Sequence, residues 1–444
     1  MKKILVLGAG RVARPCVAYL QKSSAYEITI VDTDPRNLER VAGADVNTRT
    51  VLGNALEKAA EMIQVSDLVI SLLPASLQPG IARQCIAAGR PMVNAGYVSA
   101  EMQRLHSEAV SAGVLLLCEM GLDPGIDHMS AMKTIDEIHR QGGEVLEFRS
   151  ICGALPAPAS NTNPLGYKLS WSPADLVGAC VRPARYLMDS EPVDLPGDRT
   201  LRDYRLKDLG SIGWLEEYPN MDSLPYVERY GIPEARTVYR GTLRYIGWCD
   251  LVNRLVDLGY FDERPFEVKG MPYSDVVCRL ASCKPGKRKD LPAVLSEKMG
   301  VPADSAVLKK MEWLGLFSDE IVPFETASPR DILAGLFSER LLWQPGEQDI
   351  VILRHEYLAS FRTEGSLKLY TSTLVDFGDS DGDTSIAKTT GLPVGIGADM
   401  ILRGKFGEFT GVHIPVMPVV YEEALEELEQ NGISFEETVE DAVS

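Results

Sequence analysis

Histidine is scarce in this chain and cysteine is unpatterned. Five histidines among 444 residues are too few for a histidine-rich cluster, and no metal is expected. The eight cysteines show no C-x-x-C spacing and no closely spaced histidine partner. They read as reduced, packed thiols, so a reducing compartment is expected. No apolar run reaches the roughly eighteen residues that a membrane-spanning helix needs. No basic tract relieves a net charge of −18, which argues against a nucleic-acid surface of clustered Lys and Arg. Internal repeats and low-complexity segments are also missing. A strand pattern begins within three residues of Met1, so no signal peptide is expected and the expected location is cytoplasmic.

What is present is the pattern of a globular protein, 45% hydrophobic and 24% charged, too long at 444 residues for one ordinary core. The chain opens with Ile4-Leu5-Val6-Leu7 running into Gly8-Ala9-Gly10-Arg11-Val12-Ala13. A buried strand followed by G-x-G-x-x-A and a helical pattern is the entry to a dinucleotide site. Gly8 allows the tight turn, Gly10 lets the backbone approach a pyrophosphate, and Ala13 lets helix and strand pack closely. The phosphates would then meet free N–H groups at a helix N-terminus. A second strand, Glu27-Ile28-Thr29-Ile30-Val31, ends on Asp32, about where such units bind ribose hydroxyls.

Strand–helix alternation continues to about residue 120, with a strand Ser66–Leu73, a helix Gln78–Ala88, a strand Pro91–Ala95, a helix Ala100–Ala112 and a strand Val114–Cys118. The expected fold class is α/β: a Rossmann-type doubly wound parallel sheet plus a mixed α/β domain with a helical insert. Ligands of such sheets bind beyond the carboxyl ends of strands, which singles out Gly8–Ala13, Asp32–Asp34, Leu73–Ser76 and Asn94–Ser99. Further on, strands are expected at Val145–Cys152 and Val238–Arg244, and helices at Pro173–Leu187, Asp250–Leu258, Asp275–Ala281, Val307–Leu314 and Ser328–Phe337. Lys284–Asp290 reads as a charged linker, and Asp349–Tyr357 and Leu367–Phe377 alternate like paired antiparallel strands. Ser385–Arg403 reads as a helical pattern broken by Gly391 and Pro393, and the acidic tail from Tyr421 as a solvated helix with a frayed end.

Four strings go beyond fold-level pattern: Asn94-Ala95-Gly96-Tyr97-Val98-Ser99, Gly121-Leu122-Asp123-Pro124-Gly125-Ile126-Asp127-His128, Asn163 to Ser172, and Arg240-Gly241-Thr242-Leu243-Arg244-Tyr245. Together they resemble the glutamate-forming saccharopine dehydrogenases, also called saccharopine reductases, over nearly the whole chain. The resemblance implies a nucleotide domain of residues 1–122 with 385–444, a substrate and dimerisation domain of 123–245 with 346–384, and a mainly helical insert of 246–345. It implies a homodimer that interconverts saccharopine with glutamate and 2-aminoadipate 6-semialdehyde. By the same resemblance Gly96, Tyr97, Asp123, Thr242, Leu243 and Arg244 touch the amino-acid substrate. Gly8, Gly10, Arg11, Val12, Asp32, Leu73, Leu122 and Ser172 hold NAD or NADP. Two positions depart from the family: Met221 stands where an Arg usually binds a substrate carboxylate, and Gly96 where Ser is common. Arg229, Arg236 or Arg240 would have to replace the lost guanidinium, or the substrate differs.

The residues themselves offer several chemistries. Arg244 suits a carboxylate, which its planar fork matches bidentately. Asp123 suits an ammonium group, or alternatively caps a helix beginning at Pro124. The catalytic group is open among Asp123, Lys168 and His128; Lys168 and His128 each have a structural alternative, as a loop residue and a packed or capping imidazole. Cys152 reads as pocket packing and Trp171 as a loop anchor. Asp32 and Asp34 would face the 2′-phosphate of NADP with like charge, so NAD is expected over NADP despite Arg11 and Arg36 nearby. Relatives that use NADP tend to carry an Arg after the second strand, where this chain has Asp32-Thr33-Asp34. Met221 keeps open a relative that reduces another imine, such as a carboxynorspermidine dehydrogenase. A dinucleotide sensor without turnover is the other class, disfavoured by the retained Asp123 and Arg244 strings.

Overall fold

The computed structural model describes residues 1–283, 290–362 and 365–442. Most of the charged Lys284–Asp290 segment therefore lies outside the described residues. The chain divides into two compact units, one of Met1–Val145, Glu228–Ile232 and Val351–Ser444, the other of Leu146–Val227 and Pro233–Ile350.

The first unit begins with β1 (Lys2–Leu7), α1 (Ala13–Gln21), β2 (Tyr26–Asp32), α2 (Pro35–Ala42), β3 (Thr48–Leu52), α3 (Ala55–Gln64) and β4 (Leu68–Ser71). It continues with α4 (Gln78–Ala88), β5 (Met92–Asn94), α5 (Ala100–Arg104), α6 (His106–Ser111), β6 (Leu115–Leu117) and α7 (Ile126–Arg140). All four residues Ile4 to Leu7 are buried, because β1 is central and pairs in parallel with both β2 and β4. Val31, Val69, Ile63, Ile81 and Leu116 pack with Leu5 and Leu7 in one core. A strand covered by helices on both faces has no polar side to alternate with, hence its continuous apolar run.

The second unit holds β7 (Glu144–Pro156), α8 (Pro173–Ala179), β8 (Ala184–Met188), β9 (Glu191–Leu195), β10 (Arg205–Asp208), β11 (Trp214–Pro219), α9 (Pro225–Arg229) and β12 (Thr237–Tyr245). Then follow α10 (Trp248–Leu258), β13 (Phe266–Glu267), α11 (Tyr273–Leu280), α12 (Leu291–Met299), α13 (Ala306–Leu314), β14 (Thr326–Ala327) and α14 (Pro329–Arg340). Its sheet is mixed: β12 runs parallel to β7 and antiparallel to β11, and β11 is antiparallel to β10. The helix expected over Pro173–Leu187 stops at Ala179, and Ala184–Met188 is a strand paired with β9. Pro183 accounts for the break, since it disfavours helical geometry at Arg182 and cannot donate a helix hydrogen bond.

The chain returns to the first unit with β15 (Asp349–Phe361), β16 (Ser366–Phe377), α15 (Ser385–Leu402), β17 (Gly411–His413), α16 (Pro418–Gln430) and β18 (Phe435–Asp441). β17 pairs in parallel with β6 and completes a seven-stranded sheet in the order β17-β6-β5-β4-β1-β2-β3. That order is the doubly wound Rossmann arrangement with one added strand. Among the described residues no helix is long and apolar enough to cross a membrane.

Two expectations about this C-terminal segment need correction. The helix over Ser385–Leu402 is continuous, with Pro393 inside it and most of its residues buried. Gly391 and Gly395 lie against α1: a Cβ at Gly391 would sit 2.3 Å from the Val12 carbonyl oxygen, and one at Gly395 3.0 Å from that of Cys16. Burial and close helix approach outweigh the poor intrinsic propensity of Gly and Pro. The tail, expected to fray, instead forms β18, antiparallel to β16 from Phe435 to Asp441. Its acidic side chains stay mostly exposed while the backbone completes a ladder. The expected Ala100–Ala112 helix is two helices, divided at Leu105.

Gly391→Ala should lower the free energy of unfolding by about 1–3 kcal/mol through overpacking against α1. Gly335→Ala in α14 is the control: the added methyl meets Phe324 at 3.7 Å, an ordinary contact. It should be neutral or stabilise by up to roughly 1 kcal/mol. Urea denaturation of both variants checks the contrast.

Candidate functional site

The glycine turn has the features a dinucleotide requires. Gly8 has φ of +97° and sits 3.1 Å, measured from a would-be Cβ, from the Leu72 carbonyl oxygen, so a side chain would be strained twice. Leu73 packs against the same point at 3.3 Å. At Gly10 a Cβ would meet nothing within 4 Å, leaving open space over the backbone. Helix α1 starts after Val12 with no side chain capping it, so its first N–H groups have no side-chain acceptor. An anion fits there, favoured by those donors and the helix dipole. Arg11 lies exposed beside the turn. Asp32 ends β2, where its Oδ2 accepts from Ala9 N–H at 2.7 Å and its Oδ1 from Asp34 N–H at 2.8 Å. The carboxylate is thereby fixed beside the turn.

Two basic groups nearby, Arg36 and Arg40, are engaged. Arg36 pairs with Asp34 at 2.8 Å on the surface, and Asp34 is held below the usual carboxylate range by its bonds to the Arg36 side chain and backbone. Arg40 donates to the Ala9 and Gly10 carbonyl oxygens at 2.9 and 2.8 Å.

The strand-end loop after β5 forms a second cluster in the same unit. Asn94, buried, accepts from Gly96 N–H at 2.9 Å through Oδ1 and from Met120 N–H at 2.9 Å through its carbonyl. The Tyr97 hydroxyl donates to Asp123 Oδ1 at 2.8 Å. Helix α7 begins at Ile126 after Gly125, with no side-chain cap, so Asp123 does not cap it. Its half-buried carboxylate is presented instead to Tyr97. Leu122 beside it is buried.

His128 is wholly buried, with Nε2 at 2.7 Å from Glu119 Oε2 and Nδ1 at 2.6 Å from the Tyr230 hydroxyl. The tautomer that serves both contacts carries its proton on Nε2 and accepts from Tyr230. Glu119 was not singled out from the sequence. A cavity of about 800 Å³ in this unit lies against α7, α16, β16 and β18, and neither the glycine turn nor Tyr97 and Asp123 line it.

In the second unit β12 carries Thr242, Leu243 and Arg244. Thr242 is half-buried opposite Cys152 of β7, and Leu243 is fully buried. Arg244 is only 7% exposed. Its guanidinium lies 4.9 Å from the Tyr167 ring centre and 5.8 Å from that of Trp248. Nη1 donates to the Leu243 carbonyl at 2.8 Å, but Nε has no partner, and neither does the indole nitrogen of buried Trp248. Glu216 is its cross-strand neighbour in register, yet gives both oxygens to the start of α10, accepting from Gly247 N–H at 2.7 Å and Cys249 N–H at 2.8 Å. No carboxylate forms an ion pair with Arg244 among the described residues. Burial opposes the Arg244 charge, but the neighbouring Tyr218 and Tyr167 hydroxyls and Cys180 and Cys249 thiols hold its pKa up, so it stays cationic. A buried cation beside unpaired donors, without an anion of its own, is suited to binding one.

The other expected residues sit in ordinary structural contacts. Lys168 is buried in an ion pair with Glu347 and donates to Thr162 Oγ1 at 2.9 Å. Ser172, exposed, caps α8 by accepting from Asp175 N–H at 3.4 Å. Trp171 donates to the Tyr167 hydroxyl at 2.8 Å. Met221 has φ of +58° and accepts from Arg185 N–H at 2.9 Å through its carbonyl. Of the arginines considered as replacements, Arg240 is buried over the Tyr226 ring and bonded to its hydroxyl at 2.6 Å, while Arg229 and Arg236 are exposed.

The strand order, the glycine turn and the acid at the end of β2 define a Rossmann-type dinucleotide-binding protein joined to a mixed α/β unit. The sequence matches "Saccharopine dehydrogenase NADP binding domain" over residues 4–117 and "Saccharopine dehydrogenase C-terminal domain" over 121–433. The chain belongs to the saccharopine dehydrogenase family. It is 33% identical to the Schizosaccharomyces pombe "Saccharopine dehydrogenase [NADP(+), L-glutamate-forming]", covering 99% of this chain and 100% of that one. It is 36% identical to the Bos taurus "Alpha-aminoadipic semialdehyde synthase, mitochondrial" over 98% of this chain but only 47% of that protein. The chain thus spans about half the length of the mammalian relatives it matches. The solved apo saccharopine dehydrogenase (L-Glu forming) of Saccharomyces cerevisiae superposes with a TM-score of 0.90 at 32% identity, covering 99% and 100% of the two chains.

The Lys168–Glu347 pair is open to direct test. Burial alone would raise the Glu347 pKa, but the Gln344 N–H, Lys168 and Thr162 outweigh it and hold the acid below its ordinary 4.5. A depressed pKa contributes stability that is complete above the ordinary value and lost as pH falls through the lowered one. Glu347→Gln strands a buried ammonium and should cost about 3 kcal/mol at neutral pH. The gap to wild type should narrow steadily as unfolding is measured at pH values below 4.5.

Proposed function

We propose that the protein is an NAD(P)-dependent oxidoreductase acting on a CH–NH group, which interconverts saccharopine with L-glutamate and 2-aminoadipate 6-semialdehyde. The observation that carries this is Arg244, a buried guanidinium with a free Nε and no carboxylate partner among the described residues. A substrate with three carboxylates supplies the missing anion. The names of relatives matched over their full length support the reading. The dinucleotide accepts or returns a hydride. This chain's residues do the rest: the glycine turn and the start of α1 hold the pyrophosphate, Arg244 and Thr242 fix a carboxylate, and Asp123, hydrogen-bonded to Tyr97, recognises and handles the proton of the secondary amine. Hydride loss leaves an imine, and water adds to its carbon. The C–N bond then breaks to release aldehyde and amino acid, the amine nitrogen taking a proton. Gly96, Leu243, Leu122 and Ser172 complete the assigned contacts. The reading keeps the division into nucleotide domain, substrate domain and helical insert, a homodimer, and a cytoplasmic location. Met221 keeps another imine substrate, such as carboxynorspermidine, as the second reading.

The test is absorbance at 340 nm with purified protein, saccharopine and each cofactor. Turnover of carboxynorspermidine and none of saccharopine would select the second reading. Arg244→Met should raise the KM for saccharopine about 10–100-fold, the equivalent of a charge-assisted bond of roughly 1.5–3 kcal/mol. The same variant should melt no lower than wild type, because it removes an uncompensated buried charge. An unchanged KM would remove Arg244 from the site.

We further propose that NAD is preferred to NADP. Asp32 is fixed where ribose hydroxyls bind, and of the arginines around it Arg36 is tied to Asp34 and Arg40 to the turn carbonyls. A 2′-phosphate would meet a like charge with no free cation supplied by Arg36 or Arg40. Asp32→Ala should improve kcat/KM with NADP by roughly tenfold while weakening NAD use, in line with a repulsion of 1–4 kcal/mol. A wild type that favours NADP, with no gain on losing the carboxylate, would contradict this.

A further inference from the structure

Glu119 has no role in the chemistry above, yet its contacts are specific. It stands two residues after β6 with φ of +59°, a conformation uncommon outside glycine. Its N–H donates to the Gly96 carbonyl at 3.2 Å, and its Oε1 accepts from Val98 N–H at 2.8 Å. Those two groups flank Tyr97, so one residue brackets the Tyr97 backbone from both sides. Four residues further on, Asp123 receives the Tyr97 hydroxyl. The other carboxylate oxygen of Glu119 meets His128 Nε2, whose Nδ1 meets the Tyr230 hydroxyl. All three of these side chains are buried, His128 and Glu119 to 1% exposure or less.

We propose that Glu119 is the positioning residue for Tyr97 and Asp123, with His128 and Tyr230 holding Glu119 in place. The inference rests on the functional reading above for what Tyr97 and Asp123 do, but not for how they are held. Burial alone would raise the Glu119 pKa; the hydrogen bond from His128, the Val98 N–H and the charge of Arg229 outweigh it, so the acid remains ionised. An ionised acid with so little solvent cannot leave its partners without losing both charge and hydrogen bonds. Gly96 and Val98 are therefore pinned to the segment that carries Asp123. The hydroxyl-to-carboxylate distance is set by this clamp rather than by the mobility of a loop. His128 in this arrangement serves Glu119 and not the substrate.

The experiment compares Glu119→Gln, Tyr230→Phe, Tyr97→Phe and the Glu119→Gln/Tyr97→Phe pair. Glu119→Gln keeps an oxygen for Val98 N–H but loses the charge facing His128. It should lower kcat about 10–100-fold, as expected for slight misplacement of reacting groups. Dinucleotide Kd should stay within about twofold, since the glycine turn is untouched. Tyr230→Phe removes one hydroxyl, is conservative enough to fold, and should lower kcat by roughly 3–10-fold. In the Tyr97→Phe background the Glu119→Gln effect should shrink below about threefold, because the two act through one contact. If Glu119→Gln does not fold, Tyr230→Phe decides alone. A kcat within about twofold of wild type in the folded variants, or full multiplicativity with Tyr97→Phe, overturns the proposal. If the wild-type protein does not turn over saccharopine, the functional reading fails separately. The clamp is then read from crystal structures of wild type and Glu119→Gln or Tyr230→Phe: separation of the Tyr97 hydroxyl from Asp123 in a variant supports it, and an unchanged contact overturns it.

Discussion

The close approach of α15 to α1 is the contact on which the first unit depends. Residues 13–21 and 385–402 are far apart in sequence, yet Gly391 comes so near the Val12 carbonyl that no side chain fits between them. Val12 is also the residue from which α1 departs toward the helix N-terminus that would meet a pyrophosphate. The C-terminal part of the chain therefore sets the position of the glycine turn, and β17 extends the sheet beside β6. A local motif at one end of the chain becomes a rigid binding element only through a non-local contact from the other end.

Three of the buried charges among the described residues are treated in three ways. Glu119 is surrounded by donors and a neighbouring imidazole, so its charge is spent on geometry. Glu216 is spent on the first turn of α10, where its oxygens take the N–H groups of Gly247 and Cys249. Arg244 alone among the three keeps a buried donor, Nε, without a partner; its Nη1 meets the Leu243 carbonyl and its guanidinium lies against the Tyr167 and Trp248 rings. Burying a charge is unfavourable unless it is paired. The two acids have their partners within the fold, and the guanidinium does not, which is the physical basis for assigning its partner to the substrate.

Much of this was legible in the sequence, and the remainder was hidden for identifiable reasons. β1 and the glycine turn declare themselves, because a strand buried on both faces is apolar throughout and the turn requires glycine at Gly8. Asp123 and Arg244 were legible only through longer strings shared with a family. β3 gave no signal: it is an edge strand whose residues are partly or fully exposed. β18 was hidden by its acid content, since its pairing with β16 uses backbone groups that composition does not report. α15 was obscured by Gly391 and Pro393, poor helix formers in isolation whose value appears only once α1 is beside them. Glu119 was missed because its meaning lies in the groups it touches, Gly96, Val98 and His128, and nothing in its own neighbourhood of the sequence marks it.

The claim that unites these points is that Arg244 is held buried for a carboxylate the protein does not itself supply. The most direct measurement is a crystal structure of the protein grown with saturating saccharopine. The account predicts a substrate carboxylate oxygen within hydrogen-bond distance of Arg244 Nε, with the guanidinium still against Tyr167 and Trp248. A bound saccharopine whose carboxylates all lie away from Arg244, leaving Nε as bare as before, would contradict it.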